Sequence, residues 1–210
     1  MKSASGEIKP GSEEGAGDRT DSQLFASAFG DLGVDPSMLV PWQLRASEVG
    51  ATPLVSSKAA ELLQTLWKQD KYMGRLDARA IGRLERFFDF AFVAAGRDII
   101  RQEEYGNFMI VLLSGSIAVD RQQPWGEQMR MAEARPGDTL GEMSLLDSGM
   151  RFAQCTTLTN CEVGVLDAKA LDKMMATDPA LAAGLIALLA RKLSLRLRMV
   201  GARVSDRQQP

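Results

Sequence analysis

Between Arg135 and Thr157 the chain reads RPGDTLGEMSLLDSGMRFAQCTT, and the residue types in this stretch suit the capture of an anion. Pro136-Gly137-Asp138 is a turn tripeptide, and Gly141-Glu142 closes a short strand. From Met143 to Leu146 one helical turn is expected, starting where backbone N–H groups have no acceptor inside the helix. Free amides beside a glycine that allows close approach suit a phosphate. Arg151, nine positions after Glu142, returns at the far side of the loop, where a guanidinium can fork onto phosphate oxygens. Glu142 cannot help to hold a phosphate but can accept a sugar hydroxyl. Together the two side chains ask for a phosphate attached to a sugar.

Other chemistry lacks its parts. The 210 residues contain no histidine, which removes Ser-His-Asp and Cys-His dyads, the HExxH zinc helix and histidine-ligated haem. The two cysteines, Cys155 and Cys161, are too few for a four-cysteine site and lack CxxC spacing, so they read as buried small hydrophobes in strands of a reduced, cytoplasmic chain. Neither GxxxxGK[ST] nor GxGxxG occurs. No catalytic residue, metal site or cofactor is therefore expected. With 25 Lys+Arg against 27 Asp+Glu, the net charge of -2 gives no general attraction for polyanions. The longest apolar run, Ala180 to Ala190, falls short of the ~20 residues that span a bilayer, and MKSASGEIKPGSEEGAGDRT has no apolar stretch to make it a secretory signal.

The elements that must position the loop follow from composition and periodicity. Residues 1–22 are polar and Gly/Ser-rich and are expected to form a disordered tail. Residues 23–55 place Leu24, Phe25, Phe29, Leu39 and Trp42 among Gly33, Pro36, Pro41 and Gly50, which predicts an irregular docking segment with short helical turns at most. Over 56–89 two helices are expected. The first follows a serine cap at Ser56 and Ser57 and carries Leu62, Leu63, Leu66, Trp67 and Met73; the second runs from Asp77 to Phe87. Over 90–167 seven short β-rich runs alternate with glycines Gly96, Gly106, Gly115 and Gly137 as turn markers, which predicts an antiparallel sandwich or barrel. Helix returns over 168–204, with Asp178 and Pro179 opening a long final helix.

That helix carries two neighbouring apolar stripes, Leu181, Leu185, Leu188, Leu195 and Met199 beside Ala182, Ile186, Leu189, Leu193, Leu197 and Val200. One stripe suffices for docking on the sheet, so the second is expected to meet the same helix in a homodimer. Five bases (Arg191, Lys192, Arg196, Arg198 and Arg203) read as a solvated face near the helix C-terminus.

The string GEMSLLDSGMR resembles the phosphate-binding cassette of the cyclic nucleotide-binding domain family, and the frame around it resembles the family in order and spacing over about residues 60–204. The resemblance implies a mainly β fold, an antiparallel, jelly-roll-like β-roll over 90–167 with its cassette at 137–154, N-terminal helices and a long C-terminal helix. It implies ligand contacts by Gly141, Glu142 and Arg151, with Glu142 on the ribose hydroxyl and Arg151 on the cyclic phosphate, backbone donors from Met143 and Ser144, and Phe152 beside the phosphate. The base would be covered by one of Leu188, Arg191, Lys192 or Leu195. The chain departs from the family pattern at Met150, Phe152 and Gln154, which alters the pocket floor, and at Glu103, where the family often has glycine.

The expectation is a non-catalytic cyclic nucleotide sensor in signal transduction. The resemblance favours cyclic AMP over cyclic GMP, since the threonine that favours guanine in relatives is absent at position 152. Its C-terminal helices would move on binding and be read by a dimer or an unidentified protein partner. With six residues after Val204 there is no room for a recognition helix, so no direct DNA binding is expected. Two competing readings are a cyclic di-GMP binder and a degenerate, ligand-free dimerisation or docking module. In the latter, Glu142 and Arg151 form a surface ion pair while Phe152 and Met143 serve as core packing.

Overall fold

The computed structural model describes residues 23–206; the expected tail over 1–22 lies outside them. Among the described residues nine strands form two antiparallel sheets. Five of them, in the order β1 (Thr52–Pro53), β2 (Asp89–Val93), β9 (Cys161–Asp167), β4 (Phe108–Ser114) and β7 (Thr139–Leu140), make one sheet. The other runs β3 (Asp98–Ile100), β8 (Gln154–Thr157), β5 (Ile117–Gln122) and β6 (Gln128–Ala134). This is the expected β-roll with flanking helices.

Side-chain alternation explains how the two sheets enclose a core. Ile110, Leu112, Val163 and Val165 of the larger sheet face Ile99, Ile117 and Cys155 of the smaller one. The alternate residues Met109, Val111, Leu113 and Leu166 point the other way, into a second core formed with the helices. Both faces of β4 are thus covered, and its sequence FMIVLL is continuously apolar for that reason.

The helical layer consists of α3 (Ser56–Gln69), α4 (Ala78–Leu84), α6 (Ala168–Thr177) and α7 (Pro179–Asp206). Val55, not a serine, stands at the N-cap of α3, and no side chain caps that end. Residues 23–55 are more helical than their glycines and prolines suggest, with α1 (Leu24–Asp31) and α2 (Trp42–Val49) each completing two turns. Two devices explain this. The buried Asp172 of α6 accepts hydrogen bonds from the Phe25 and Ala26 amides at 2.9 and 2.8 Å, capping α1 from another helix. Gly50, at φ 65°, closes α2 in the left-handed conformation.

On α7, Leu181, Ala182, Leu185 and Leu189 are buried in the helical core with Ile186 and Leu188 packed against it, so both apolar stripes are used inside the chain along this half. Leu197 is 73% exposed. The side chains of Met199, Val200 and Arg203 lie outside the described ones. Lys192 and Arg196 are not simply solvated: both make ion pairs with the body of the molecule, to Asp70 and Glu142. Among the described residues no helix is long and apolar enough to cross a membrane.

Candidate functional site

The loop expected to hold an anion connects the two sheets. Strand β7 delivers the chain to Gly141, whose φ of 74° turns it into α5 (Glu142–Asp147). The helix ends at Ser148, also left-handed at φ 55°, and Met150 then pairs with Tyr105 before Arg151 and Phe152 lead into β8. A Cβ on Gly141 would lie 2.5 Å from Arg151 Nη1, so glycine is required here by both conformation and space. Gly106 is a close-approach residue instead of a turn marker: its φ is not positive, and a Cβ there would lie 2.6 Å from Arg151 Nη2.

Arg151 is the centre of the site. It is buried, with Nη1 donating to the Gly141 carbonyl at 2.9 Å and Nη2 to the Phe108 carbonyl at 2.8 Å. Its guanidinium carbon lies 4.5 Å from the centroid of the Phe108 ring. Among the described residues no carboxylate stands within ion-pair distance of it. Burial pushes its pKa down to about 10, which leaves it charged at neutral pH.

Glu142 is also buried, 4% exposed, at the first turn of α5. It does not pair with Arg151. Its Oε1 accepts a hydrogen bond at 2.5 Å from Nη1 of Arg196, reaching over from α7, while Arg196 Nη2 donates to the Thr139 carbonyl at 3.4 Å. Burial pushes the Glu142 carboxyl above its ordinary pKa; the charges of Arg196, Lys192 and Arg151 and its own amide offset only part of that. The surface ion pair of the docking-module reading is thus replaced by two buried charges with separate hydrogen-bond partners. Next to Arg196, Lys192 donates to Asp70 at 2.7 Å. Burial raises the Asp70 carboxyl, but Lys192 and the Met73 and Tyr72 amides outweigh it and hold the pKa below its ordinary value.

The structure brings Gly141, Glu142 and the Arg151 guanidinium together and places Met143 and Phe152 outside the core. Met143 is 42% and Phe152 48% exposed, so neither is core packing. The Phe152 ring sits 3.9 Å from the Arg121 guanidinium, which also donates to the Phe152 carbonyl at 2.8 Å. It does not fill the space between Gly141 and Arg151. Ser144 is buried in α5. Gln154 does not alter the floor: Cys155 faces the inter-sheet core, so its neighbour Gln154 turns to the outer face, where it donates to Asp98 and Thr156. Both cysteines are buried in strands, as free thiols. Of two open clefts of about 480 and 490 Å³ at the smaller sheet, one is lined by Glu103, whose amide donates to the Arg151 carbonyl at 2.9 Å, and the other by Asp98, Asp120 and Thr156.

Residues missed by sequence reasoning are Phe108, Arg121 and the specific role of Arg196. The signal for Arg196 was its phase: Leu185, Leu189, Lys192 and Arg196 follow four-three-four steps, so the buried line of α7 continues into the two bases.

Residues 91–178 match the family model described as cyclic nucleotide-binding domain. Among curated proteins, the chain is 30% identical over 98 residues to the CRP-like cAMP-activated global transcriptional regulator of Mycobacterium tuberculosis, covering 47% of this chain and 44% of that protein. It is 31% identical over 107 residues to the cyclic AMP receptor protein of Thermus thermophilus, covering 51% and 50%. The chain spans about half the length of these curated relatives. Among solved structures, a cyclic nucleotide-binding domain from Methylobacillus flagellatus superposes with a TM-score of 0.68 at 20% identity, over 76% of this chain and 90% of that one. The catabolite activator protein of Thermus thermophilus superposes with a TM-score of 0.54 at 27% identity, over 63% of each.

Proposed function

Residues 91–178 belong to the cyclic nucleotide-binding domain family, and from that premise we propose that the chain is a non-catalytic sensor of a cyclic nucleotide, cyclic AMP foremost, acting in cytoplasmic signal transduction. The observation that carries the proposal is the burial of the Arg151 guanidinium with no ion-pair partner among the described residues. A guanidinium buried to 3% exposure, bonded to two carbonyls and set against the Phe108 ring, has no carboxylate within ion-pair distance among the described residues, Glu104 and Glu142 acting on it only from further off. Leaving an ion so placed costs on the order of several kcal/mol. An anionic ligand at the mouth of the Gly141 turn offsets that cost, with the first-turn amides of α5, those of Met143 and Ser144 included, as further donors. Glu142 accepts the sugar hydroxyl.

Signalling follows from who already holds Glu142. Because Arg196 of α7 is bonded to that carboxylate, a ribose hydroxyl arriving there must share or displace the bond, and the helix feels the ligand. The Lys192–Asp70 pair fixes the same stretch of α7 to the C-terminal end of α3, so a change at Glu142 is passed to the helical layer. For this to switch anything, ligand must bind the two helix arrangements unequally. The reader is a dimer partner meeting α7 at the exposed Leu197, or another protein.

Calorimetric titration of the full chain with cyclic AMP, cyclic GMP and cyclic di-GMP tests the reading. Saturable binding of cyclic AMP, lost in Arg151→Ala, is expected. The Arg196–Glu142 bond gives one specific observation in favour of a second reading, in which the helix permanently occupies the sugar site and the roll serves only as a docking module; no heat with any of the three nucleotides decides for it.

A further inference from the structure

Arg151 is held from a direction the cassette does not supply. The segment Leu39–Val49, which precedes the family-matched region, packs against β3, Tyr105 and Phe108 and reaches the guanidinium by two separate routes. The first is aromatic. Trp42, the first residue of α2 and 5% exposed, meets Phe108 edge-on at 5.5 Å between ring centroids. Phe108 in turn carries the Arg151 guanidinium 4.5 Å from its ring centroid and accepts the Nη2 hydrogen bond on its carbonyl.

The second route is ionic and runs through the backbone. Arg45 of α2 is 1% exposed; it pairs with Glu48 at 2.7 Å and with Glu104. Arg101 adds contacts of 3.3 Å to Glu48 and 3.6 Å to Glu104. Glu104 is one of the two residues whose main chain holds Arg151: the Arg151 amide donates to the Glu104 carbonyl at 2.8 Å, and the Glu103 amide donates to the Arg151 carbonyl at 2.9 Å. One residue further, Tyr105 pairs with Met150 on one side and with Leu39 on the other, and its carbonyl accepts from the Val40 amide at 2.8 Å. The loop 103–105 is therefore clasped between the strap and the arginine. Arg45 keeps a buried Nε with no partner, so the α2 helix sits where it does at a cost that its contacts must offset.

We propose that Leu39–Val49 is a positioning strap for the anion site, with Trp42, Arg45 and Glu104 as positioning residues that set the Arg151 guanidinium, so that docking of the strap and capture of the ligand's phosphate strengthen each other. The proposal rests on the nucleotide-binding reading above for its ligand, but its geometry is independent of it. Reciprocity follows: whatever tightens the strap tightens the ligand, and ligand tightens the strap by the same factor.

The test uses the full chain with Trp42→Leu and Glu104→Gln, the milder variant, together with Arg151→Ala and a fold control, Leu84→Ala, whose site is in the helical core. Cyclic AMP titration is expected to show affinity weakened by about 5- to 150-fold in the two strap variants, the ordinary range of coupling between sites, and unchanged in Leu84→Ala. Hydrogen exchange without ligand is expected to speed up at the Glu103 and Arg151 amides in both strap variants and not in the control. If both strap variants bind as tightly as Leu84→Ala while Arg151→Ala does not bind, the strap is wrong and the sensor stands. If the wild-type chain binds none of the three cyclic nucleotides, the sensor falls and exchange alone decides: unchanged protection at those two amides overturns the strap, faster exchange sustains it.

Discussion

Gly141→Ala is the sharpest probe of the site because the structure supplies its own control. Gly141 has φ 74° and Gly33 has φ 75°, so alanine meets the same backbone penalty at both, about 1–2 kcal/mol. The gain from a stiffer unfolded chain is also common to both and cancels in the comparison. Space is not common to both. At Gly33 nothing lies within 4 Å of the added methyl; at Gly141 it would meet Arg151 Nη1 at 2.5 Å, Ile100 Cδ1 at 2.9 Å and the Phe108 carbonyl at 3.2 Å. The guanidinium cannot yield cheaply, since it is bonded to two carbonyls and pressed against Gly106 on its other side. Overpacking of this kind adds about 1–3 kcal/mol. The expectation is therefore ~2–5 kcal/mol for Gly141→Ala against ~1–2 for Gly33→Ala. At about 2–4 °C per kcal/mol for a chain of this size, the melting temperatures fall by ~4–20 and ~2–8 °C. Urea denaturation of both variants with equal slopes reads the difference directly. If the two variants agree within about 0.5 kcal/mol, the close approach of Arg151 to Gly141 is not a feature of the folded chain, and the charge argument built on it goes too.

Three further outcomes follow from the same geometry. The Glu142 carboxyl has a folded-state pKa above its ordinary 4.5, so the folded chain binds the extra proton; this contribution is fully present below 4.5 and is lost as pH rises through the raised value, and a stability–pH profile of Glu142→Gln lacks that decline. Glu103 occupies φ 66° without being glycine, so Glu103→Gly is expected to be neutral or stabilising by up to about 1 kcal/mol, and a clear loss of stability in urea refutes the strain. Burial pushes the Cys155 thiol up to about 12, so it stays protonated at pH 8; a thiol reagent should label Cys155 only on unfolding, and rapid labelling of the native chain contradicts its placement.

Elements with a strong local period were legible from the sequence, and contacts between distant segments were not. The seven β-rich runs correspond closely to strands because alternation and turn glycines are local properties, and the short strand before Gly141 is β7; only the two-residue β1 was overlooked, being too short to show a period. The loop from Gly141 to Arg151 was legible for a similar reason, as its chemistry is packed into eleven consecutive residues. Residues 23–55 were misjudged as irregular because the capping of α1 comes from Asp172, which lies 147 positions from Phe25 in sequence. The docking-module reading put Phe152 and Met143 in the packing, but each lies on the outward side of a loop whose inner side is filled by Arg151 and Leu145. Composition cannot tell the two sides of a loop apart, since no period relates them.

The same distinction explains why the bases of α7 were read as solvated. On an isolated helix, Lys192 and Arg196 four positions apart would both face water, which satisfies them. In the fold, each instead meets a carboxylate that the roll and α3 have partly buried, and the two pairs differ in balance. Asp70 receives two backbone amides besides Lys192, and its carboxyl stays acidic. Glu142 is more deeply buried, and Arg196 does not fully offset the loss of water. Of the two anchors of α7, the one at the cassette therefore has the carboxylate more easily protonated. A hydroxyl donor arriving beside Glu142 needs to compete only with that bond, whereas Lys192 and Asp70 stay joined and serve as the pivot. On this ordering Lys192→Met loosens α7 without ligand, while Arg196→Met leaves the helix docked and raises the Glu142 pKa further, and hydrogen exchange along 188–196 separates the two cases.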